Sequence, residues 1–428
     1  MDAVRGEGTR PSRVRVRDIL AIREIRAVVV ATFVVMLGFG ILSPVLPLYA
    51  KSFGVGYDSV GLLVSAFAFA RLLFDLVSGP LVNRFGQRAV VVVGAVIVGI
   101  SSAAAAMAPN FTLLVAFRAA GGAGSSIFFA GLMSYLLLTA PRDLMGRVMS
   151  VFYGAFNVGI ILGNPIGGVV AGWFGLASPL WFYAGACFVA ALMYARTVRD
   201  PERAVDEGPR PGLRQLRWSR SFVAVLVANA TYFWFVAGVI STLLALFAQD
   251  ELGYSSLQIG LALAILSVAE FAVLFPAGTL TDRLGRKAVL LPSMIAIAAT
   301  VALTGFASTT VTFIIALAML GVVSGFGGVP QSVMLADVVP PRLQPAAIGV
   351  YRFVGDLGFV IGPLLAGWMA SQFGFTAAFA VSALPCLAAA ALLATIPETK
   401  PTLTKASGAT RTADVVELDE RRRERGTA

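Results

Sequence analysis

Residues 79–88 read GPLVNRFGQR and residues 278–287 read GTLTDRLGRK, so one pattern occurs twice at a spacing of 199 residues. The two cysteines, Cys187 and Cys386, have the same spacing. The two copies align without a gap from about Gly54 in the first to Cys386 in the second. Internal symmetry of this kind indicates a repeated structural unit, so we expect two halves with the same fold.

The composition places both halves in a membrane. Hydrophobic residues make up 58% of the 428-residue chain, charged residues make up only 13%, and the mean hydropathy is +0.84. A soluble domain has about 25% charged residues, so this chain has too few polar helix faces to meet water. Residues 27–50 alone supply the ~20 apolar residues that a helix needs to cross a bilayer.

Twelve such segments predict an all-α integral membrane protein with two pseudo-symmetric six-helix halves. They must be helices, because lipid offers backbone groups no other partner. Predicted spans 1 to 12 are residues 27–50, 58–80, 89–108, 111–139, 148–171, 178–195, 222–248, 257–280, 288–307, 311–336, 346–370 and 376–396. The predicted regions are an N-terminal segment (1–26), the first half (27–195), a polar linker (196–221), the second half (222–397) and a disordered tail (398–428).

Basic residues indicate the orientation. The stretch before span 1 and the loops after spans 2, 4, 6, 8 and 10 carry arginines, whereas the opposite loops hold only Lys51. Cytoplasmic loops carry the excess of Lys and Arg, so both termini are predicted to be cytoplasmic. The formal net charge of +10 is spread along the chain, which argues against a nucleic-acid partner. Only four basic residues are lysines; this arginine bias is typical of GC-rich coding, so we expect a bacterial cytoplasmic membrane.

The chain contains no histidine. This excludes His-ligated metal sites and Ser–His or Cys–His catalytic arrangements, so proton chemistry falls to carboxylates. We therefore expect no enzyme activity, metal or cofactor. The two cysteines, both inside predicted spans, are interpreted as small apolar filler.

The repeated loop resembles the signature G-x-L-x-D-R-x-G-R-[RK] of the major facilitator superfamily, which lies between helices 2 and 3 and again between helices 8 and 9. The matching positions are Gly79, Asn83, Arg84, Gly86 and Arg88 in the first loop, and Gly278, Asp282, Arg283, Gly285 and Arg286 in the second. In that family the loop is thought to latch the two halves in the outward-open state. Asn83 and Gln87 replace the signature Asp and Arg, so we expect a weaker latch in the first half.

Two further motifs support the resemblance, which covers roughly residues 20–400. FRAAGGAG, with Arg118, is similar to the helix-4 signature R-x-x-Q-G-x-G. GIILGNPIGG, with Gly159, Gly163 and Pro165, is similar to the helix-5 antiporter signature, although its proline has moved one place, and Gly362 and Pro363 occupy the corresponding part of the second half. The resemblance implies alternating access and drug–proton antiport. The glycines are interpreted either as close-packing positions or as a pliable lining of the substrate path.

Apart from Asp58 at the edge of span 2, six charged residues fall inside the predicted spans, and a charge at mid-membrane costs at least ~2.5–3.5 kcal/mol. They are Arg71, Asp75, Arg118, Glu270, Arg352 and Asp356. Arg71/Asp75 and Arg352/Asp356 have the i,i+4 spacing that allows ion pairs within one helix. None of the six has a charged counterpart of the same sign 199 residues away: Arg118 corresponds to Leu317 and Asp356 to Asn157. The fold therefore does not require these charges, which makes all six candidates for proton coupling.

The sequence thus predicts proton-coupled efflux of a small amphipathic or drug-like solute. Asp356 and Glu270 are the predicted proton carriers, with the arginines as modulators, and Arg118 is expected to lie beside a carboxylate or a water-filled cavity. The predicted substrate-binding residues are Asn229, Tyr232, Trp234, Phe128, Tyr153 and Asn157. Such aromatic residues also suit a helix core or a lipid-facing surface. Alternatives are a sugar or metabolite carrier of the same fold, exporter or importer, and a membrane enzyme or receptor that moves no solute. We expect a functional monomer, since one chain contains both halves.

Overall fold

The computed structural model describes residues 21–140, 144–197 and 215–400. The predicted N-terminal segment up to residue 20, most of the linker and the tail from residue 401 lie outside the described residues. The helices are Arg23–Leu42 and Leu46–Lys51 (span 1), Tyr57–Phe85 (span 2), Gln87–Ala106 (span 3), Phe111–Thr139 (span 4), Met145–Phe174 (span 5), Ser178–Thr197 (span 6), Arg220–Trp234, Phe235–Leu243 and Leu244–Asp250 (span 7), Ser256–Leu284 (span 8), Arg286–Thr304 (span 9), Thr310–Val338 (span 10), and Gln344–Ala394 (spans 11 and 12).

Eleven of these helical segments are long and apolar enough to cross a membrane. The last, Gln344–Ala394, contains two spans, because Gly374 has a φ of 79° and breaks the helix where the chain reverses. A positive φ is readily adopted only by glycine. The described residues therefore give the predicted twelve spans, six in each half, and the all-helical membrane fold is confirmed.

Spans 1 and 7 are irregular at matching depths. Span 1 was predicted as one helix, but it is interrupted at Ser43–Val45, where Pro44 cannot donate a backbone hydrogen bond. Span 7 widens into a π-helix over Phe235–Leu243. There, the hydroxyl groups of Ser241 and Thr242 donate to carbonyl groups five residues earlier, at 3.0 and 2.8 Å. Such π-segments occur frequently at functional sites.

Within each half, the motif glycines allow two helices to touch along their backbones. A Cβ at Gly163 of span 5 would lie 2.5 Å from the Leu37 carbonyl oxygen of span 1. Its counterpart Gly362 of span 11 would place a Cβ 2.8 Å from the Trp234 carbonyl oxygen of span 7. These two glycines therefore serve close packing inside each half, the first of the two interpretations given above.

The halves meet along spans 2 and 11 and along spans 5 and 8. A Cβ at Gly61 would lie 2.1 Å from the Pro363 carbonyl oxygen, and one at Gly260 would lie 2.8 Å from that of Asn164. Beyond these contacts, Lys51 forms an ion pair with Asp250. We call this the sealed end of the molecule, and the end that bears residues 79–88 and 278–287 the loop end.

Toward the loop end the facing helices diverge. Tyr153 of span 5 and Arg352 of span 11 are 53% and 46% exposed, and a Cβ at Gly79 of span 2 would meet no atom within 4 Å. The molecule is therefore closed between the halves at one end and open at the other, which is one of the two end states that an alternating-access carrier requires.

Candidate functional site

Four of the charged residues meet where spans 2 and 11 cross. Arg71 forms an ion pair and a hydrogen bond with Asp356. One turn closer to the loop end, Arg352 lies 3.9 Å from Asp75. Arg71 is 14 residues from the start of span 2, or ~21 Å along the helix at ~1.5 Å per residue. The two ion pairs are therefore deep in the molecule, between the sealed end and the open cleft.

This pairing differs from the i,i+4 pairing that the spacing allows. Arg71 pairs with Asp356 instead of Asp75, and Arg352 pairs with Asp75 instead of Asp356. Spans 2 and 11 run antiparallel and face each other, so each arginine reaches a carboxylate on the opposite span. The interpretation that each pair neutralises itself within one helix is wrong for this conformation, because both pairs join the two halves.

Neighbouring groups hold the two carboxylates. The Ser126 hydroxyl of span 4 donates to Asp75, and the Arg71 guanidinium also lies 5.2 Å from the centre of the Phe359 ring. The Asp356 side chain is only 8% exposed, and that of Asp75 is 21% exposed. Asp356 is therefore the more enclosed of the two carboxylates, whereas Asp75 borders the open cleft.

Glu270 lies apart from these ion pairs, on span 8 inside the second half. The Tyr232 hydroxyl donates to its carboxylate at 3.3 Å. Among the ion pairs that the described residues form, none includes Glu270. A carboxylate held by a neutral phenol is not fixed in its charged form by an arginine, so its environment differs in kind from that of Asp356.

Arg118 of span 4 is 3% exposed, and it points neither to lipid nor to the membrane surface. Its guanidinium stacks on Phe67, 4.5 Å from the ring centre. Within the described part of the chain, its Nε and Nη1 atoms have no hydrogen-bond partner. The carboxylates of Asp356, Asp75 and Glu270 are held instead by Arg71, Arg352 and Tyr232, respectively. Arg118 lines a cavity.

This cavity has a volume of about 240 Å³ and is lined mainly by the first half. Its lining residues are Val35, Met36, Phe39, Leu42, Ser43, Leu46, Val64, Phe67, Arg71, Ala95, Val98, Arg118, Ser125, Phe128, Phe129, Phe156, Ile160, Tyr183, Cys187, Phe233, Val236, Ser241 and Phe359. The lining includes two arginines and no carboxylate. The irregular parts of spans 1 and 7 both contribute to the wall, through Ser43 and Ser241. The cavity is therefore aromatic and basic.

The six predicted substrate-binding residues are dispersed. Phe128 lines the cavity. Asn229 donates to the Tyr351 carbonyl oxygen at 2.7 Å and joins spans 7 and 11, while Tyr232 contacts Glu270 and Trp234 packs against Gly362. Tyr153 and Asn157 lie on span 5 beside the cleft, where Asn157 donates to the Tyr153 carbonyl oxygen at 2.8 Å. In this conformation these six residues do not form one binding site.

The second repeated loop is held within its own half. The Arg286 Nε atom donates to Asp337 of span 10 at 2.6 Å, and its Nη1 atom lies 4.0 Å from Asp282. Glu398 accepts hydrogen bonds from the backbone N–H groups of Arg286 and Lys287, at 2.8 and 3.2 Å. Partial burial opposes ionisation of Glu398, but these and other backbone N–H donors outweigh it and lower the pKa of this carboxyl.

The first loop has weaker versions of these contacts. Arg88 donates to the Ala195 carbonyl oxygen, as its counterpart Lys287 does to that of Ala394. Gln87 reaches only the Ser134 hydroxyl, at 3.4 Å. Leu138 occupies the position that corresponds to Asp337. The first loop therefore lacks both members of the Arg286–Asp337 ion pair of the second loop. The weaker latch between the halves stays a prediction.

Several residues of the site were not identified from the sequence, namely Ser126, Phe67, Phe359, Tyr183 and Cys187. All are uncharged and lie in apolar segments whose pattern does not distinguish a cavity wall from a lipid-facing surface. The sole sequence signal is that Phe67 precedes Arg71 by four residues and Cys187 follows Tyr183 by four, so each pair shares one helix face.

Comparisons with known proteins agree with this geometry. The Major Facilitator Superfamily model matches residues 28–257 and 226–425. An uncharacterised MFS-type transporter of Methanocaldococcus jannaschii is 23% identical over 362 residues, 83% of this chain and 93% of that protein. Quinolone resistance protein NorA of Staphylococcus aureus is 26% identical over 236 residues, 54% of this chain and 60% of NorA.

A similar solved structure is that of a bacterial homologue of the human lysosomal transporter Spinster, in an inward-facing and occupied conformation. It has a TM-score of 0.77 and 15% sequence identity, and the match covers 89% of this chain and 98% of that one. At this level of identity the similarity concerns the fold alone.

Proposed function

The chain belongs to the major facilitator superfamily, whose members carry small molecules across membranes and are not enzymes, and we propose that it exports a small amphipathic solute in exchange for protons. The observation that carries the proposal is the exchanged pair of ion pairs, Arg71–Asp356 and Arg352–Asp75, which join the two halves at mid-depth. Both pairs consist of one acid that can take a proton and one arginine that cannot lose its own.

Proton coupling follows from moving the halves. An arginine beside a carboxylate favours the charged carboxylate, and removing the arginine while leaving the carboxylate in apolar surroundings favours the protonated form. In the state open at the loop end, Arg71 holds Asp356 charged. When spans 2 and 11 separate toward the sealed end, Asp356 loses Arg71 and faces the other side, where it takes up a proton. The return movement brings Arg71 back and expels the proton at the loop end.

The same conformational change moves the solute in the direction opposite to the proton. It enters from the loop end, which the arginine distribution predicts to be cytoplasmic. It is released after the sealed end opens, and protonation of Asp356 then permits the return. Since Asp356 must be unpaired to be protonated, proton uptake requires the outward state. This requirement couples inward proton movement to outward movement of the solute, and a single chain suffices.

The cavity lining favours a drug-like solute over a sugar. Sugar sites need several Asn, Gln or acidic side chains around an aromatic ring, and none of these polar types is among the lining residues. Eight of the lining residues are Phe or Tyr, which suit an apolar or aromatic body. The partial match to NorA, which is named for quinolone resistance, supports the same class. We therefore also propose efflux at a bacterial cytoplasmic membrane.

Reconstituted vesicles test the proposal. The full chain is placed in vesicles with a trapped pH dye, a pH gradient is imposed, and movement of a fluorescent quinolone and of protons is followed together. We expect gradient-driven quinolone movement with a matching counterflow of protons. Quinolone movement that is indifferent to the gradient, or that collapses only with the membrane potential, would contradict proton exchange.

Asp58→Asn is the matched control for Asp356→Asn. Asp58 is an exposed acid at the start of span 2, remote from the ion pairs. Asp58→Asn should retain coupled transport, whereas Asp356→Asn should lose it. If both variants lose transport to the same extent, the effect of Asp356→Asn is not specific to the ion pair.

A further inference from the structure

The proposed exporter function assigns no role to Arg118, the arginine of the cavity that has no ion-pair partner among the described residues. Asp356 lies against Arg71, so one of the two arginines in the lining is neutralised. In the part of the chain that the structure describes, Arg118 has no such partner, although it is the more deeply buried of the two. A buried cation without a counter-charge is costly, and the fold does not need it, since Leu317 is fully buried at the corresponding position of the second half.

We propose that Arg118 binds the carboxylate of the transported solute, and that the solute class is therefore an amphipathic aromatic carboxylate, not a lipophilic cation. This inference rests on the proposed function, since it assigns the solute of that same site. It adds a ligand-binding role to Arg118 and a charge requirement to the solute.

The geometry of Arg118 suits a carboxylate. One face of the guanidinium lies on Phe67, which fixes the plane of the group. The Nε and Nη1 atoms are both buried without a partner among the described residues, and each shares one edge of the planar group with Nη2, so either edge offers an unpaired donor to a carboxylate. Planar guanidinium donors match the two oxygens of a carboxylate, and hydrogen bonds between such charged groups are roughly twice as strong as neutral ones.

The other lining residues are suited to contact the apolar part of the solute. Phe39, Phe128, Phe156, Phe233 and Phe359 surround the space in front of Arg118. Because the described lining includes no acidic residue, it carries no group that would compensate a cationic solute. At ~30 Å³ per water, a volume of about 240 Å³ corresponds to about eight waters. A compact fused-ring carboxylate is therefore a better occupant than a long acyl chain.

Binding of three isosteric probes to purified full-length protein tests this inference. The probes are 2-naphthoate, 2-naphthalenemethanol and 2-naphthylmethylammonium, which share a ring system and differ in charge. Titration calorimetry in low-chloride buffer should give the tightest binding for naphthoate, about tenfold or more tighter than for the alcohol, and the weakest for the ammonium compound. Equal affinities, or tightest binding of the ammonium compound, would overturn the inference.

Substitutions assign the effect to Arg118. Arg118→Gln should weaken naphthoate binding about tenfold or more while binding of the alcohol stays within about twofold, which shows that the cavity is intact. Arg118→Lys should recover part of the naphthoate affinity, since charge is kept and the planar donor edge is lost. Arg217→Gln, which removes an exposed arginine outside the cavity, is the control and should leave naphthoate affinity unchanged.

Two outcomes would overturn the assignment. One is unchanged naphthoate affinity in Arg118→Gln. The other is full displacement of naphthoate by millimolar chloride or acetate, which would mean that Arg118 holds a small inorganic or simple anion instead of the solute.

The vesicle assay separates this inference from the proposed function. Proton-driven quinolone transport combined with no preference for naphthoate over the alcohol would reject the anionic solute and keep the exporter. Tight, Arg118-dependent naphthoate binding without any proton-driven transport would reject the exporter and keep the anion site.

Discussion

Gly163 packs on Leu37 in the first half, and Gly362, 199 residues after Gly163, packs on Trp234 in the second. At the positions that correspond to Arg118 and Asp356, in contrast, the opposite halves carry Leu317 and Asn157. Backbone packing is thus duplicated with the fold, whereas the intramembrane charges are not. The glycines therefore serve the shared architecture, and the residues that break the symmetry are the candidates for transport chemistry.

The same contrast applies to the interface. The two halves approach each other through equivalent backbone contacts, Gly61 with Pro363 and Gly260 with Asn164. Among the described residues, however, the two mid-depth ion pairs both lie between spans 2 and 11, whereas at the crossing of spans 5 and 8 Asn164 donates to Ser267 at 2.9 Å. One crossing is therefore able to respond to protonation, and the other provides a neutral hydrogen bond.

The largest expected effect comes from making the second half resemble the first at Asp356. Asp356→Asn introduces the residue type of its counterpart Asn157 and removes the charge that pairs with Arg71. We expect proton-driven transport in vesicles to fall by about 100-fold, in the range for loss of a group that transfers protons, while the protein still inserts. Substantial proton-coupled transport by this variant would remove Asp356 from the mechanism.

A charge exchange sharpens this test. The double variant Arg71→Asp with Asp356→Arg keeps an ion pair between spans 2 and 11 and moves the acid to the first half. Each single variant places two like charges at the crossing, so both should be less stable to heat than the double variant. Equal thermal midpoints for the three would mean that Arg71 and Asp356 do not depend on each other.

The two cysteines test the asymmetry of the cavity. Both cysteines are 1% exposed, but Cys187 lines the cavity and Cys386, at the corresponding position of the second half, does not. We expect N-ethylmaleimide to modify Cys187 about tenfold faster than Cys386, since reactivity follows access. The rates are measured by mass spectrometry on Cys187→Ala and Cys386→Ala variants. Similar rates would show that reagent access does not distinguish the two halves.

Glu270 should have a smaller effect than Asp356. Glu270→Gln preserves a hydrogen-bond acceptor for Tyr232 and disturbs no ion pair, so we expect a loss of about tenfold, less than the range of 10²–10⁴ for a positioned acid or base. The measurement is the number of protons moved per solute molecule, with Tyr232→Phe as the companion variant. An unchanged proton ratio in Glu270→Gln would exclude Glu270 as a proton carrier.

The loop comparison predicts a small effect on stability. Gln87→Arg alone would lack the acid that Asp337 provides in the second half, so Leu138→Asp must accompany it. We expect the double variant to be more stable by about 0.5 kcal/mol, as for an exposed ion pair, and each single variant to gain nothing. The thermal midpoint in detergent measures this. A gain from Gln87→Arg alone would indicate a partner other than the residue at position 138.

The smallest effect concerns Glu398 at low pH. Its lowered pKa means that folding favours the charged carboxylate, so its stabilising contribution is present above the ordinary glutamate pKa and is lost as the pH falls through the lower, folded-state value. A negative charge at a helix N-terminus contributes about 0.3–1 kcal/mol. Glu398→Gln should therefore lower the thermal midpoint at neutral pH and converge with the unchanged protein in acid. A constant difference across this range would exclude the charge as the cause.

The membrane location, the twelve spans, the division into halves and the family could all be predicted from the amino-acid sequence. Hydropathy is a sum over consecutive residues, and the repeat is a property of the linear order, so neither depends on which helices touch. The same reasoning selected Arg71, Asp75, Arg118, Glu270, Arg352 and Asp356 as exceptional. The π-helix in span 7 was not predicted, because apolar composition is the same in a regular and an irregular helix. The break in span 1 was not predicted either, although Pro44 marks its position in the sequence.

Which charged residues form ion pairs with each other depends on the tertiary structure. The i,i+4 spacing favoured pairs within spans 2 and 11, but these spans face each other, and each arginine pairs with the opposite carboxylate. The same is true of Arg118, whose sequence context does not distinguish a nearby acid from an aromatic cavity. A local pattern specifies where a charge lies along its helix, whereas its partner depends on the packing of helices that are hundreds of residues apart in the chain.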